Sequence, residues 1–167
     1  MSRAAGCLAA LAVLAVAAAT PALARSPWRL ASADGETMLT DGDGEDMAAS
    51  LRCKPHAGRI DVTFLVDHNL ADHQVGDTWA DKAGHRAPWA VTVHAASGAA
   101  AADIAGKANA DQMNGGSEID LVLPAASPVA QAFAASGALK LTAFGETPKL
   151  PPAPAALAAK FVKSCTK

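Results

Sequence analysis

Apolar and polar side chains alternate along much of this chain, which is typical of β-strands with one buried face. In the clearest example, residues 59–66, the apolar side chains of Ile60, Val62, Phe64 and Val66 occupy every second position. Weaker forms of the pattern predict further strands at residues 28–32, 36–40, 47–54, 88–94, 104–110, 118–123 and 138–144. Turn sequences rich in glycine, asparagine and aspartate separate several of these stretches, so a meander of roughly seven or eight strands is expected.

Two later stretches have helical periodicity instead. Ser127 is a good N-cap residue, Pro128 suits the first helical position and Gly137 suits a helix end, which together predict a short helix near residues 128–136. A second helix is predicted near residues 153–164. The expected fold is therefore mainly β: a single-domain β-sandwich, or a curved antiparallel sheet with two helices.

The first 24 residues have the three parts of a secretion signal. A charged start at Arg3 precedes an apolar run over residues 8–19, and the triplet Ala22-Leu23-Ala24 is a typical cleavage site. The run is shorter than the roughly 20 apolar residues that a membrane span needs. We therefore expect cleavage after residue 24, a mature domain of residues 25–167 without a membrane anchor, and a periplasmic or secreted location.

Export determines how the cysteines are interpreted. Cys7 leaves with the signal, so the mature chain keeps one pair, Cys53 and Cys165. Disulfides persist outside the cytoplasm, and a single pair has only one possible connectivity within the chain. A Cys53–Cys165 disulfide is predicted, and it would attach the C-terminal helix to the sheet.

The charge distribution restricts the class of partner. The formal net charge is −2 at pH 7, which does not favour binding to nucleic acid or to anionic lipid. Residues 25–81 carry 5 basic and 11 acidic side chains, whereas residues 82–167 carry 8 basic and 5 acidic ones. This asymmetry could attract a basic partner to the N-terminal half, although a set of solvated acidic turns would give the same counts.

Residues 67–87 form the most polar stretch and contain several histidines and aspartates. His68, His73, His85 and Asp72 are candidate metal ligands, because imidazole and carboxylate groups bind zinc and other transition metals. Their spacing matches no established metal-binding motif. The alternative is a solvated long loop or irregular hairpin without metal.

The same stretch holds a candidate contact surface for a partner. Trp79 lies between Asp77 and Asp81, and an exposed tryptophan among acidic side chains would be a plausible anchor for another protein. The alternative is that Trp79 folds back onto the sheet, as Trp28 and Trp89 are expected to do from their positions in strands.

No catalytic motif is present in the sequence. It has no G-x-S-x-G nucleophile turn, no C-x-x-C redox pair and no glycine-rich phosphate loop, and no cofactor is expected. The favoured function is an exported, non-enzymatic module that binds another protein or an envelope component. A metal-binding protein using residues 67–85 and a small hydrolase are the alternatives.

The layout resembles that of several small bacterial periplasmic proteins. The features shared are an early tryptophan, a strand cysteine in the context Leu51-Arg52-Cys53 and a terminal helix ending in Cys165. Type VI secretion-associated proteins, invasion-associated locus B-type proteins and periplasmic lysozyme inhibitors are the groups concerned. The resemblance implies a non-enzymatic, exported β domain.

Overall fold

The computed structural model describes residues 28–42 and 47–166. The predicted signal peptide lies outside the described residues, as does part of the glycine- and aspartate-rich turn sequence at residues 41–44. Within the described ranges there are ten strands and two helices. They are β1 (Trp28–Ala33), β2 (Glu36–Asp41), β3 (Ala49–Cys53), β4 (Arg59–Val66), β5 (His73–Val75), β6 (Thr78–Ala80), β7 (Trp89–Ser97), β8 (Ala100–Ala110), β9 (Ser117–Pro124), α1 (Pro128–Ser136), β10 (Lys140–Thr142) and α2 (Ala155–Cys165).

Eight of the strands form one curled antiparallel sheet in the order β1-β2-β3-β4-β9-β8-β7-β10, and β5 and β6 form a separate hairpin. The predicted mainly β fold is confirmed in its curved-sheet form, with one helix in the middle of the chain and one at its end. No helix among the described residues is long and apolar enough to cross a membrane.

The core lies on the inner face of the curled sheet. Leu39, Leu51, Val62 and Leu121 stand directly opposite one another on successive strands, so they form a continuous apolar row, and all four are at most 4% exposed. The two helices pack against each other, α1 also contacting β7 and β8, and α2 contacting β1, β2 and β4. Burial of these apolar surfaces is the main force that holds helices and sheet together.

Helix α1 forms where its end signals predict it. The Ser127 hydroxyl accepts a hydrogen bond from the Ala130 N–H at 3.2 Å, Pro128 begins the helix, and Gly137 ends it with a φ of 71°. A side chain at Gly137 would collide with the Ala153 carbonyl oxygen, since the Cβ would lie 1.8 Å from it. Glycine is therefore required there by packing as well as by backbone conformation.

The predicted disulfide is confirmed. Cys53 in β3 is bonded to Cys165, the last residue of α2, across a sequence separation of 112. Main-chain hydrogen bonds reinforce the attachment, from His56 N–H to the Ser164 carbonyl at 2.9 Å and from Gly58 N–H to the Cys165 carbonyl at 2.8 Å. The C-terminal helix is thus fixed to the β3–β4 turn.

Two predicted strands differ most in length from the observed ones. The weakly patterned stretch at 104–110 is part of β8, which has 11 residues, pairs with β7 over residues 100–108 and pairs with β9 over residues 106–110. The strand predicted at 138–144 is reduced to the three residues of β10, because Phe144 has a φ of 53° and the chain turns between Ala143 and Glu146. Alternation of side chains cannot reveal such a turn, since it depends on backbone conformation.

Candidate functional site

Residues 67–88, called the arm from here on, connect β4 to β7 and contain the β5–β6 hairpin. The prediction of a long loop or irregular hairpin is confirmed. Trp89 and Trp28 are buried in the core, as their strand positions indicated.

Each of the three histidines of the arm lies beside a different carboxylate. The His68 ring is 3.7 Å from Glu146, the His73 ring is 3.2 Å from Asp72, and the His85 ring is 3.1 Å from Asp81. Among residues 28–42 and 47–166, no group of three or more histidine, cysteine, aspartate and glutamate side chains is arranged to hold a metal ion. The structure therefore forms separate pairs from the candidate ligands His68, His73, His85 and Asp72 rather than one ligand set.

Asp81 is occupied by interactions inside the arm. Its carboxylate accepts hydrogen bonds from the backbone N–H groups of Ala83 at 2.9 Å and His85 at 2.8 Å, and it also contacts the His85 ring. Desolvation raises the pKa of Asp81, but the hydrogen bonds and charge interaction with His85 outweigh it and leave that pKa below its usual value. Asp81 thus stabilises the 81–85 turn, a role that the sequence analysis did not assign to it.

Trp79 lies partly buried against the core, which is the alternative that the sequence left open. Its indole Nε1 is buried and has no hydrogen-bond partner among the residues that the structure describes. Asp77 remains exposed at the hairpin turn. The predicted contact residues Trp79, Asp77 and Asp81 therefore do not form one exposed patch. Trp79 faces the core, and Asp81 forms its hydrogen bonds within the arm.

Two adjoining depressions at one end of the sheet are together called the sheet-end groove. Their volumes are about 660 Å³ and about 190 Å³, they share part of their lining, and Met113 and Glu118 line the smaller one. The start of β3, the end of β4, the 111–116 loop and the 146–149 segment form its walls. Its acidic side chains are Asp67, Asp111, Glu118 and Glu146, its basic side chain is Lys149, and its larger apolar ones include Met47, Leu65 and Met113.

Glu118 is the least compensated of these acids. Burial raises its pKa, repulsion from Asp120 and Asp111 raises it further, and Arg52 lowers it only in part. Asp120 is already engaged, because it accepts a hydrogen bond from the Thr63 hydroxyl at 2.7 Å. The Glu118 carboxylate itself forms no hydrogen bond or ion pair within the described ranges, so a cation placed in the groove would stabilise its charged form.

The 111–116 loop is held in shape by Asp111. The Asp111 carboxylate accepts hydrogen bonds from the Asn114 side chain at 2.9 Å and from the Met113 N–H at 3.0 Å. These bonds outweigh desolvation and lower the pKa of Asp111. The loop displays Met113, whose exposed fraction of 76% makes it the most exposed large apolar side chain of the described chain.

Gly116 allows this loop to pass close to the end of β4. A Cβ at this position would lie 2.1 Å from the Val66 carbonyl oxygen. The groove was not predicted from the sequence because its walls come from four distant parts of the chain. The only local signals were the Asn114-Gly115-Gly116 turn and the isolated acids beside it.

One contact between a histidine and a carboxylate bears on the hydrolase alternative. His94 on β7 lies opposite Asp103 on β8 and opposite Thr142 on β10, and the His94 ring is 2.8 Å from the Asp103 carboxylate. The side chains of His94 and Asp103 are 53% and 70% exposed, however, and the Thr142 hydroxyl is bonded to that of Thr147 at 2.7 Å. An open surface of this kind does not exclude water or orient a substrate.

Comparison with known proteins identifies no relative: no protein-family model, no curated protein and no solved structure is significantly similar to this chain. The resemblance to small periplasmic proteins therefore stays a prediction.

Proposed function

We propose that this protein is an exported, non-enzymatic module that binds another protein or an envelope component through the sheet-end groove. The observation that carries the proposal is the unpaired carboxylate of Glu118 among further acids, beside exposed Met113. Uncompensated negative charge attracts cations, and methionine side chains adapt to the shape of a partner.

The shape of the groove favours a macromolecular partner over a small molecule. Small-molecule sites usually enclose most of their ligand, whereas this depression is open to solvent. It is built on strand ends and on loops tied down by hydrogen bonds, so its walls are fixed before a partner arrives. Lysine or arginine side chains on a protein surface would fit both its charge and its apolar rim.

Support for export comes from the sequence. The signal-like residues 1–24 and the disulfide between Cys53 and Cys165 are both typical of a protein that works outside the cytoplasm. The mature protein is expected to begin at Arg25, which the mass of protein recovered from the periplasm or medium of expressing cells would check.

Site-specific photo-crosslinking in living cells tests the proposed surface. A photoreactive residue would replace Met113 at the groove, and a matched one would replace Val122, which is 48% exposed on β9 and is not part of the groove lining. We expect a discrete crosslinked partner from position 113, reduced several-fold by Glu118→Gln and by high salt. Equal crosslinking from both positions, or none from position 113, would contradict the proposal.

A further inference from the structure

Strand β7 has an edge that the rest of the sheet covers only in part. Strand β10 pairs with His94, Ala95 and Ala96 alone, so residues 89–93 of β7 have no strand on that side among the described residues. The reason is the turn at Phe144, which takes the chain away after Thr142. The uncovered stretch is five residues long, enough for an added strand to form several main-chain hydrogen bonds.

A pocket lies directly beside this uncovered edge. Its volume is about 380 Å³, and Leu70, Trp89 and Phe144 supply its apolar surface. The Phe144 ring is held in place by stacking on the His68 ring, with the ring centroids 4.6 Å apart. The pocket can therefore receive an apolar side chain from a strand that continues the line of β10.

The pocket is lined by one cationic side chain that has no partner of its own among the described residues. Arg86 lines it and is exposed, and its guanidinium has no hydrogen bond or ion pair within the described part of the chain. Asp81 lines the pocket too and is negatively charged, but its carboxylate accepts hydrogen bonds from Ala83 and His85 and does not pair with Arg86. A carboxylate on an incoming segment would be the natural partner of Arg86.

We propose that residues 89–93 accept an extended acidic segment of a partner polypeptide as an added antiparallel strand, with an aspartate or glutamate side chain at Arg86. Side chains of such a strand alternate between the two faces of the sheet. Those opposite Trp89, Val91 and Val93 face inward and are apolar, while those opposite Ala90 and Thr92 face outward and are polar. The surface is separate from the sheet-end groove and does not depend on its function.

A synthetic peptide tests this directly. The probe is acetyl-Val-Thr-Val-Thr-Val-Asp-Gly-amide, titrated into the purified protein with its disulfide formed and followed by the amide NMR signals. We expect shifts concentrated at residues 89–93, and slower hydrogen exchange of the backbone N–H groups that point away from β8. A peptide with lysine in place of aspartate should bind about 5–10-fold more weakly, since its charge repels Arg86.

Charge reversal provides the control. Arg86→Glu should weaken binding of the aspartate peptide about 5–10-fold and strengthen binding of the lysine peptide. Lys82→Glu, an exposed change nearby in the arm, should leave the binding of both peptides nearly unchanged. Both changes lie on the surface, so the fold is expected to persist. The proposal is overturned if the aspartate peptide binds more weakly than about 1 mM, if the shifts lie elsewhere, or if Lys82→Glu acts like Arg86→Glu.

Discussion

At the scale of single residues, Glu118 shows how the candidate site departs from an ordinary polar surface. The side chain lies on a strand whose alternate positions are core, so the polar position itself follows from the sequence. The environment of Glu118 does not follow from the sequence. Asp111 approaches it from a loop, and Asp120 approaches it from the next outward-facing position of the same strand. An unpaired, partly buried carboxylate lowers the stability of the folded state, and in the proposed function its charge would attract a partner.

The raised pKa of Glu118 has a definite consequence for stability. The folded protein holds the Glu118 proton more tightly than the unfolded chain does, so this residue's contribution is most favourable at low pH and is lost as pH rises through the folded pKa. Glu118→Gln should therefore raise the melting temperature at pH 7 by about 1–3 °C. The gain should vanish below the usual glutamate pKa of about 4.3, as thermal melts across pH would reveal.

Asp77→Asn is the matched control for this effect, since Asp77 is exposed at the arm hairpin. It should leave the melting temperature nearly unchanged at both pH values. A stabilisation by Glu118→Gln that persists at acidic pH would mean that packing, rather than charge, is responsible.

Substitutions at Gly116 and Gly115 distinguish a steric requirement for glycine from a conformational one. Gly116→Ala should lower the free energy of unfolding by about 2–4 kcal/mol, because its Cβ would lie 2.1 Å from the Val66 carbonyl oxygen and the backbone must shift. Gly115→Ala meets no atom within 4 Å but has a φ of 79°, so it should lower that free energy by only about 1–2 kcal/mol. Urea unfolding of both variants measures the difference, and equal losses would show that contact with β4 is not the determining factor.

At the scale of elements, the sequence predicts what depends on local periodicity and end signals. Ser127, Pro128 and Gly137 define α1, and the alternation over residues 59–66 defines β4, since a helix or strand buries one face at its own period. The same reasoning cannot find the sheet-end groove, whose walls at Met47, Leu65, Asp111 and Glu146 meet only because the strands pair in a particular order. Nor could it find the role of Asp81 inside the arm, because hydrogen bonds within the 81–85 turn cannot be predicted from spacing alone.

The arm provides a test of the metal-binding alternative. Its histidines are paired singly with carboxylates, and two protein ligands form a weaker and less selective site than the three or four of typical zinc centres. We expect the purified protein to contain well below one equivalent of zinc, copper or nickel, and EDTA to leave its melting temperature unchanged. Stoichiometric metal lost in a His73→Ala His85→Ala variant would instead establish a site in the arm.

At the scale of the whole molecule, the fold is a curled sheet packed against two helices, and only β10 and a segment with little regular structure separate these helices in the chain. Helix α1 is attached by the short connections around it. Helix α2 follows a segment with little regular structure, and Trp28 anchors that segment by donating its indole N–H to the Pro151 carbonyl. The disulfide attaches the end of α2 to β3, and the sheet-end groove and the β7 edge both belong to the eight-stranded sheet that contains β3.

Loss of the disulfide should therefore be costly. In the chain-entropy description, a cross-link with a sequence separation of 112 stabilises the folded state by about 4–5 kcal/mol, because it restricts the unfolded chain. The double variant Cys53→Ala Cys165→Ala should lose most of this free energy of unfolding in urea titrations, and the reduced natural protein should lose a similar amount. The same variant should keep α2 docked at low temperature, since Phe161 and Val162 remain buried and the hydrogen bonds to Ser164 and Cys165 carbonyls do not need sulfur. A loss below about 1 kcal/mol would show that the unfolded chain is already compact around these two positions.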